Sequence, residues 1–433
     1  MIYDDSIRYQ YRIHTTEYDE SVVLAKPIFR KPPLEEIEFG NGPHSIQYTI
    51  LQFARQTGDA SPEAVAAAGI YRSVLLSASG RPLAFAPVHA LPFEQFTEKH
   101  PVVHGDIQIT QTIEGTMILL FYNPEESIWE IATKSAVGGN YWFYRTQYFD
   151  ETPKTESPKQ KTFREMFLEA LSPGNGPISS LDEIPFVQAL SKELSYCFVL
   201  QHPENPIVQR HDQPSVWLVA LFKIEPCIPT DESRSHYRIA NLPQSSFSSY
   251  VPALKTMPGI VRLPAIYHFP DETALSDLVS ETVDFPASTE MGWMITHFGT
   301  GERTSFEYPE YTRLRELRGN HPNLQYQYLV LLRLGKIAEF LSQFPEYRSL
   351  FTRFYLQYHD FITQIHTAYV KHYILKDPTP IPKKYFVHIC RIHKTIYLPS
   401  LATEKIIIRH HIVRQYVDAL EPREILYSLH TAM

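Results

Sequence analysis

The feature that most constrains the fold is a change of hydrophobic periodicity close to residue 320. Before it, apolar residues alternate with polar ones or form short blocks, as in Ile7–Ile13, and a period of two is typical of β-strands. After it, aromatic and branched side chains recur at helical spacing between Phe351 and Tyr369, which predicts one long helix with a buried stripe. At 433 residues the chain is long enough for more than one domain. We therefore expect two differently built parts.

The predicted fold class is α+β, with a body of mostly antiparallel sheets and short helices followed by an α-helical C-terminal domain. We divide the chain into an N-terminal strand and helix extension at 1–69, the body proper at 70–319 and the helical domain at 320–433. In the body the sequence predicts a hairpin over Arg72–Ala86 and a helix at Phe163–Leu171.

We predict the other elements from blocks of apolar residues and from the Gly and Pro residues that interrupt them. In the body they are a short helix at 44–56, strands at Ile107–Tyr122, Ser127–Thr133, Leu194–Leu200 and Ser215–Ile224, an exposed loop at 151–161 and an irregular surface at 225–256. In the C-terminal domain they are helices at Leu324–Phe344, near 384–396 and at 403–419.

Charge is distributed unevenly along the chain. The net charge is −8, but residues 312–433 carry +8 and the rest carries −16. A basic C-terminal third can attract RNA or DNA, can dock on an acidic protein, or can simply be a solvated helical surface. Two groups of cations are the candidate nucleic-acid contacts, with Lys405 and Arg409 expected on one helical face. The groups are Arg313, Arg315 and Arg318, and Lys405, Arg409 and Arg414.

Several classes of protein and of site are disfavoured. The acidic N-terminus does not resemble a signal peptide, and no apolar run approaches the roughly 18 residues of a membrane span. The three cysteines Cys197, Cys227 and Cys390 lie far apart without a CxxC pair, so a disulfide framework is not expected. We therefore expect a reducing compartment, the cytoplasm or the nucleus, with no secretion and no membrane partner.

Common catalytic and metal motifs are missing from the sequence. It contains no GxxxxGK(S/T) loop, no GxGxxG turn and no HExxH helix. The pair His410 and His411, and His388 with His393, do not combine zinc-type spacing with a third ligand. No metal site is predicted from these patterns.

Six short segments between residues 70 and 315 follow one another in a characteristic order. They are Tyr71–Leu76 with Gly80, Thr112–Thr116, Ala132–Ser135, Ser195–Val199 with His202–Val208, Met291–Met294, and Ser305–Tyr311. Their order resembles the motif order in the nucleotidyltransferase domain of phage-type RNA ligases, a family that also occurs in large DNA viruses. The resemblance implies a ligase-like nucleotidyltransferase body at 70–319 and, for an active member, ATP and Mg²⁺ as cofactors.

The segments depart from the family where the chemistry lies. These ligases use a lysine that attacks the α-phosphate of ATP, whereas this chain has Thr112 at that position and no lysine in residues 100–133. The phosphate-binding lysines are replaced by Ser305 and Glu307, and a glutamate there repels a triphosphate. The expected carboxylates are replaced by Cys197 and Met291.

A few positions keep the family's residue types. Glu114, Gly115 and Lys134 match the motifs, and Glu290 lies one residue from an expected carboxylate. The resemblance makes Lys134 and Glu290 the candidates for vestigial nucleotide binding. An ordinary turn at Glu114 and Gly115, and a solvated lysine at the end of an alternating strand, would explain the same residues without any ligand.

The sequence therefore favours a catalytically inactive, RNA-ligase-like protein, a pseudoenzyme that binds nucleic acid or takes part in an assembly such as a viral particle. No cofactor is expected in that case. Two alternatives stay open. The first is an active RNA ligase or nucleotidyltransferase with an altered nucleophile, which would need ATP and Mg²⁺, and the second is a purely structural protein that contacts other proteins.

Overall fold

The computed structural model describes residues 11–14, 23–29, 46–53, 72–141, 161–174, 178, 180–226, 236–280, 290–402 and 404–430. The chain forms two compact units. Residues 1–142 and 158–315 make up the first, which we call the body, and residues 143–157 and 316–433 make up the second, the C-terminal unit.

The body is built on antiparallel sheets. Its strands in chain order are β1 (Tyr11–His14), β2 (Val23–Phe29), β3 (Gln47–Phe53), β4 (Val74–Leu76), β5 (Pro82–Phe85), β6 (Ile107–Gln111), β7 (Thr116–Asn123), β8 (Ile128–Thr133), β9 (Ala136–Val137), β10 (Leu194–Gln201), β11 (Ser215–Pro226), β12 (His236–Asn241), β13 (Val261–Arg262), β14 (Ile266–Tyr267), β15 (Gly292–His297) and β16 (Arg303–Glu307). The largest sheet has the order β1-β12-β11-β10-β7-β8-β9, with β13 parallel to β11. Two four-stranded sheets have the orders β2-β3-β4-β5 and β14-β6-β15-β16.

The largest sheet is covered on both faces. All eight residues of β10 are buried, because successive side chains point to opposite faces and both faces meet apolar partners. Phe198 and Leu200 join a core with Phe163 and Phe167, whereas Cys197 joins a second core built with β3, β4 and β5. Two-sided packing explains why this strand is apolar throughout instead of alternating.

Short helices cover the sheets of the body. They are α1 (Phe93–Lys99), α2 (Phe163–Leu171), α3 (Pro185–Gln188), α4 (Phe247–Tyr250), α5 (Ala253–Thr256), α6 (Leu275–Ser280) and α7 (Pro309–Arg318). Helix α2 begins with a capping box, in which the Thr162 side chain and the Glu165 carboxylate each accept the other residue's backbone N–H. The sequence prediction for this helix is confirmed to the residue.

The C-terminal unit is helical. Its helices are α8 (Leu324–Leu334), α9 (Ile337–Gln343), α10 (Arg348–Tyr369), α11 (Lys383–Ile392), α12 (Leu398–Ser400), α13 (His410–Asp418) and α14 (Pro422–His430), with π-helical turns at Val370–Ile374 and His393–Tyr397. The predicted aromatic stripe of α10 is confirmed, since Phe351, Phe354 and Tyr358 are buried in one core. Within the described residues, no helix is long and apolar enough to cross a bilayer.

Several predicted elements were wrong. Residues 47–53 of the predicted helix form strand β3, and the predicted irregular region contains β12, α4 and α5 with a buried Phe247. The predicted helix Leu324–Phe344 is two helices, because Gly335 adopts the left-handed conformation that ends α8. The predicted helix at 403–419 begins only at His410.

Other predicted segments are interrupted or lie outside the described residues. The predicted strand Ile107–Tyr122 is divided into β6 and β7 by residues 112–115. The loop at 151–160, Cys227 and the start of the N-terminal strand fall outside the described ranges.

Candidate functional site

Three of the ligase-like segments meet at one end of the sheet β14-β6-β15-β16. Thr112 follows the last residue of β6, and its backbone N–H donates to the carbonyl of Gly292 at 2.8 Å. Gly292 in turn pairs with Glu307 across β15 and β16. Sheet pairing thus brings Thr112, the Met291–Met294 segment and Glu307 together.

Two glycines of these segments are required by backbone packing. Gly115 has φ +149°, and a Cβ there would lie 2.4 Å from the Leu200 carbonyl oxygen. Gly292 has φ +145°, and a Cβ there would lie 1.9 Å from the Phe306 carbonyl oxygen. Because L side chains rarely adopt this backbone conformation, both positions need glycine for the fold itself.

Thr112 lacks the surroundings of a nucleophile. Its hydroxyl oxygen is buried and, among the described residues, has no hydrogen-bond partner. A hydroxyl needs an adjacent general base or a metal ion before it can attack phosphorus. A lysyl-AMP type of intermediate does not fit this position, since the side chain has no amine and no base beside it.

Glu114 has a structural role in the body. It is 3% exposed, and its carboxylate accepts the backbone N–H groups of Val208 and Gln209 at 2.9–3.2 Å. The Tyr311 hydroxyl also donates to it, and burial raises its pKa although these hydrogen bonds oppose the rise. This residue, which matches the family motif two positions after Thr112, therefore anchors the loop after β10.

The arginines after the last motif are engaged within the chain. Arg315 pairs with Glu307 at 3.0 Å, and Arg313 pairs with Glu310 at 2.7 Å. Arg318 is 1% exposed, its guanidinium lies over the Tyr347 ring, and it donates to the Tyr347 hydroxyl. The expectation that Arg318 contacts nucleic acid is wrong, because a buried guanidinium cannot reach a phosphate.

Three cations of the body, Arg72, Arg303 and Lys134, act electrostatically on His89. Burial lowers the pKa of His89, and the positive charges of Arg72, Arg303 and Lys134 lower it further. The Arg303 Nε atom donates to the Val88 carbonyl at 2.7 Å, which holds the guanidinium beside this segment. We call Arg72, Arg303 and Lys134 the cation cluster.

Cys197 does not replace the carboxylate expected at its position. It is fully buried, and its thiol donates to the Phe85 carbonyl at 3.3 Å. Burial raises the pKa of this thiol, so it stays neutral at physiological pH. A neutral thiol cannot bind a metal ion or offset the arginines as a glutamate would.

The other predicted nucleotide residues lie at separate places. Glu290 accepts a hydrogen bond from the Tyr267 hydroxyl at 2.8 Å just before β15. Lys134 is exposed in the turn between β8 and β9, where its carbonyl accepts a hydrogen bond from the Gln52 side chain. Lys134 therefore belongs to the cation cluster, whereas Glu290 lies beside the Thr112 end of the sheet.

The basic residues of the C-terminal unit do not share a helical face as predicted. Lys405 and Arg409 are exposed in a non-helical segment that precedes α13, and only Arg414 lies on that helix. Arg414 is 3.8 Å from Asp418. Lys405 and Arg409 thus present their charges to solvent outside any helix, and Arg414 shares its charge with a carboxylate.

No family model matches the sequence, and no curated protein does. Among solved structures, an archaeal ATP-dependent RNA ligase (form 1) is 11% identical, covers 70% of this chain and 64% of its own, and gives a TM-score of 0.33. Form 2 of the archaeal enzyme is also 11% identical, with coverages of 86% and 81% and a TM-score of 0.33. A mutant of the Naegleria gruberi RNA ligase with ATP and Mn is 9% identical, with coverages of 64% and 89% and a TM-score of 0.29.

The chain thus spans about two thirds of the first archaeal ligase chain, at 64%. The mixed α+β fold, with antiparallel sheets and a helical C-terminal unit, follows from the structure itself. At these TM-scores the similarity does not transfer roles to single residues, so each role rests on this chain's own geometry.

Sequence reasoning missed the cation cluster as a unit. Arg72 lies in the first ligase-like segment, and Arg303 lies two residues before Ser305. Their positions within motif segments were the available signal. Only the packing of β16 near the segment after β5, where Leu91 donates to the Arg303 carbonyl at 2.8 Å, shows that they converge.

Proposed function

We propose that this protein is a catalytically inactive, RNA-ligase-like protein that binds nucleic acid. The observation that carries the proposal is Thr112, whose hydroxyl is buried and without a base at the position where a ligase would have its lysine. Glu307 at a phosphate-ligand position is paired with Arg315, and Glu114 anchors a loop. These three residues at ligase-like positions therefore have another role or lack the required chemistry.

The nucleic-acid part of the proposal rests on charge. Lys405 and Arg409 are exposed in the C-terminal unit, and the last third of the chain carries +8. Phosphate contacts of this kind supply most non-specific affinity for RNA and DNA. Membership of the ligase-like proteins of large DNA viruses, and packaging in a viral particle, belong to the same proposal and rest on the sequence resemblance alone.

Covalent labelling tests the catalytic half. The full chain is incubated with α-labelled ATP or GTP and Mg²⁺ or Mn²⁺, and we expect no acid-stable labelled band, because no amine or activated hydroxyl is in place. A labelled band that disappears in Thr112→Ala would establish an altered nucleophile. It would replace our proposal with the active-enzyme alternative.

Calorimetric titration with ATP tests the nucleotide site. We expect weak binding, since Ser305 adds no charge and Glu307 repels phosphate. If ATP binds with micromolar affinity instead, the variants Arg303→Gln and Glu307→Gln show whether its phosphates contact the cation cluster or the end of β16 that carries Glu307. Loss of binding in the first variant alone would assign the phosphates to the cation cluster and would contradict our expectation.

A further inference from the structure

Three histidines meet at one end of the sheet β14-β6-β15-β16. His100 follows the last residue of α1, His104 precedes β6, and His297 ends β15. One ligand nitrogen from each lies within 4.8 Å of the other two. His297 is brought to the other two by the pairing of Ile107 with His297 in the sheet.

Carboxylates surround these histidines. The His100 Nε2 atom lies 2.9 Å from a Glu302 carboxylate oxygen. A Cβ on Gly299 would lie 2.8 Å from His297 Cε1 and 3.1 Å from Asp106 Oδ2, so the Asp106 carboxylate is close to the His297 ring. Metal-bound histidines commonly donate their second ring N–H to a carboxylate in this way.

We propose that His100, His104 and His297 bind a first-row transition metal ion of the zinc type, with Asp106 or water as the fourth ligand. Three imidazoles and an oxygen are a known zinc ligand set, and imidazole favours Zn²⁺, Co²⁺ and Ni²⁺ over Mg²⁺. Tetrahedral zinc would hold the nitrogens about 3.4 Å apart. The observed separations of up to 4.8 Å require only a small closure.

Binding requires two local adjustments. The rings of His100 and His297 stack with centroids 4.1 Å apart and planes inclined by 17°, and one ion can lie in both planes only after one ring turns. The Thr300 backbone N–H donates to the His297 Nδ1 atom at 3.0 Å, and the Thr300 hydroxyl oxygen lies 3.1 Å from the same atom. A metal on Nε2 places the ring hydrogen on Nδ1, so the backbone hydrogen bond is lost and the ring must turn until Nδ1–H donates to the hydroxyl oxygen.

His104 undergoes a similar change. Its Nδ1 atom accepts the Asp106 backbone N–H at 3.3 Å, which is long for a hydrogen bond. Binding through Nε2 gives up this contact at little cost. Since each histidine must be unprotonated to bind, the affinity falls as the pH drops.

The metal site is separate from the ligase-like end of the body. In the pairing of β6 with β15, His297 lies opposite Ile107, whereas Trp293 lies opposite Gln111 next to Thr112. Four residues of antiparallel strand span about 14 Å. The two ends of the sheet are therefore distinct sites. Because its three ligands come from the end of α1, the segment before β6 and the end of β15, the ion would connect these elements and stabilise the fold there.

Spectroscopic titration of the metal-free full chain tests the site. We expect Co²⁺ to bind at one equivalent with the intense visible absorption of tetrahedral cobalt, Zn²⁺ to remove that absorption, and Mg²⁺ to leave it unchanged. His104→Gln and His297→Gln should each weaken binding by more than the roughly 10–100-fold typical of a lost supporting partner. Glu302→Gln, which removes such a partner, should fall within that range.

His268→Gln is the matched control, since His268 is an exposed histidine of the body outside the cluster. It should bind Co²⁺ like the wild type. Because His297 is only 8% exposed, the His104 variant carries the test if His297→Gln does not fold. A wild-type chain without tetrahedral absorption, or a His104 variant with wild-type affinity, would overturn the proposal.

Discussion

The body and the C-terminal unit differ in the burial of one ion pair and in the amount of exposed apolar surface. The body buries an ion pair, with Arg164 and Glu130 2.6 Å apart and both nearly inaccessible to solvent. In the C-terminal unit the ion pairs Arg391–Glu424 and Arg333–Glu421 lie at the surface. Among the described residues, the large hydrophobic side chains with the highest exposure also lie there, such as Leu375 at 67% and Tyr427 at 75%.

This difference indicates where each region tolerates change and where contacts with other molecules are expected. A sheet covered on both faces leaves little room for altered side chains. Exposed apolar residues interspersed with cations are more typical of an interaction surface than of a catalytic core. The C-terminal unit is therefore the region where we expect partners, consistent with the excess of positive charge in that part of the chain.

The largest expected effect concerns the buried pair of the body. Arg164→Ala leaves the Glu130 carboxylate buried without its guanidinium, and we expect a loss of about 3–5 kcal/mol in the free energy of unfolding. All four tryptophans, at positions 129, 142, 217 and 293, precede the C-terminal helices, so tryptophan fluorescence during urea unfolding follows the body. A loss below about 1 kcal/mol would mean that the pair behaves like an exposed one.

The next prediction concerns pH and the C-terminal unit. His388 is 2% exposed and lies between the Tyr416 hydroxyl at 3.0 Å and the Ser428 hydroxyl at 2.9 Å. Burial lowers its pKa from 6.5 to about 4. Its stabilising contribution is therefore complete above pH 6.5 and is lost as the pH falls towards 4, because the unfolded state binds a proton that the folded state rejects.

The expected size of this loss is about 3 kcal/mol between pH 6.5 and 4. Helical circular dichroism during thermal unfolding at several pH values measures it. In His388→Gln the pH dependence in this window should be smaller by that amount. His411→Gln, at an exposed position, is the control and should retain the wild-type dependence; equal slopes in the two variants would exclude His388 as the cause.

A third prediction compares the two regions as nucleic-acid surfaces. Replacing Lys405, Arg409 and Arg414 with Ala should flatten the slope of log K against log salt by about 1.5 to 2.5, since each lost phosphate contact contributes about 0.7 to 0.9. The paired Arg414 should contribute least of the three. Single-stranded RNA binding followed by fluorescence anisotropy at several salt concentrations measures the slope.

The matched control removes the same charge from the body. Lys26, Lys192 and Lys255 are exposed there, and their replacement with Ala should leave the slope almost unchanged. Equal slopes in the two triple variants would show a general charge effect. If the C-terminal variant binds as tightly as the wild type at every salt concentration, protein docking would become the preferred role of this surface.

The smallest expected effect is the counterpart of the first. Arg391→Ala removes a surface ion pair of the C-terminal unit, and we expect a loss of about 0.2–1 kcal/mol that shrinks further in high salt. Chemical unfolding followed by helical circular dichroism measures it. A loss as large as that of Arg164→Ala would remove the contrast between the regions.

The sequence by itself determined the fold class, the long helix with its stripe over Phe351–Tyr369 and the helix at Phe163–Leu171. These follow from local periodicity and capping, in which each residue's preference depends on neighbours only a few positions away. The motif order also identified the positions that meet beside Gly292. The motif order does not reveal that the Glu114 carboxylate accepts hydrogen bonds from the backbone amides of Val208 and Gln209.

Only the tertiary structure decided the conformation of segments whose local sequence favours one structure while their packing partners impose another. Residues 47–53 are a strand because β2 and β4 pair with them on either side, and strand pairing outweighs local helix preference. The burial of Arg318 and the convergence of His100, His104 and His297 depend on residues far apart in the chain. Such contacts arise when sheets and helices pack, and no spacing within one segment encodes them.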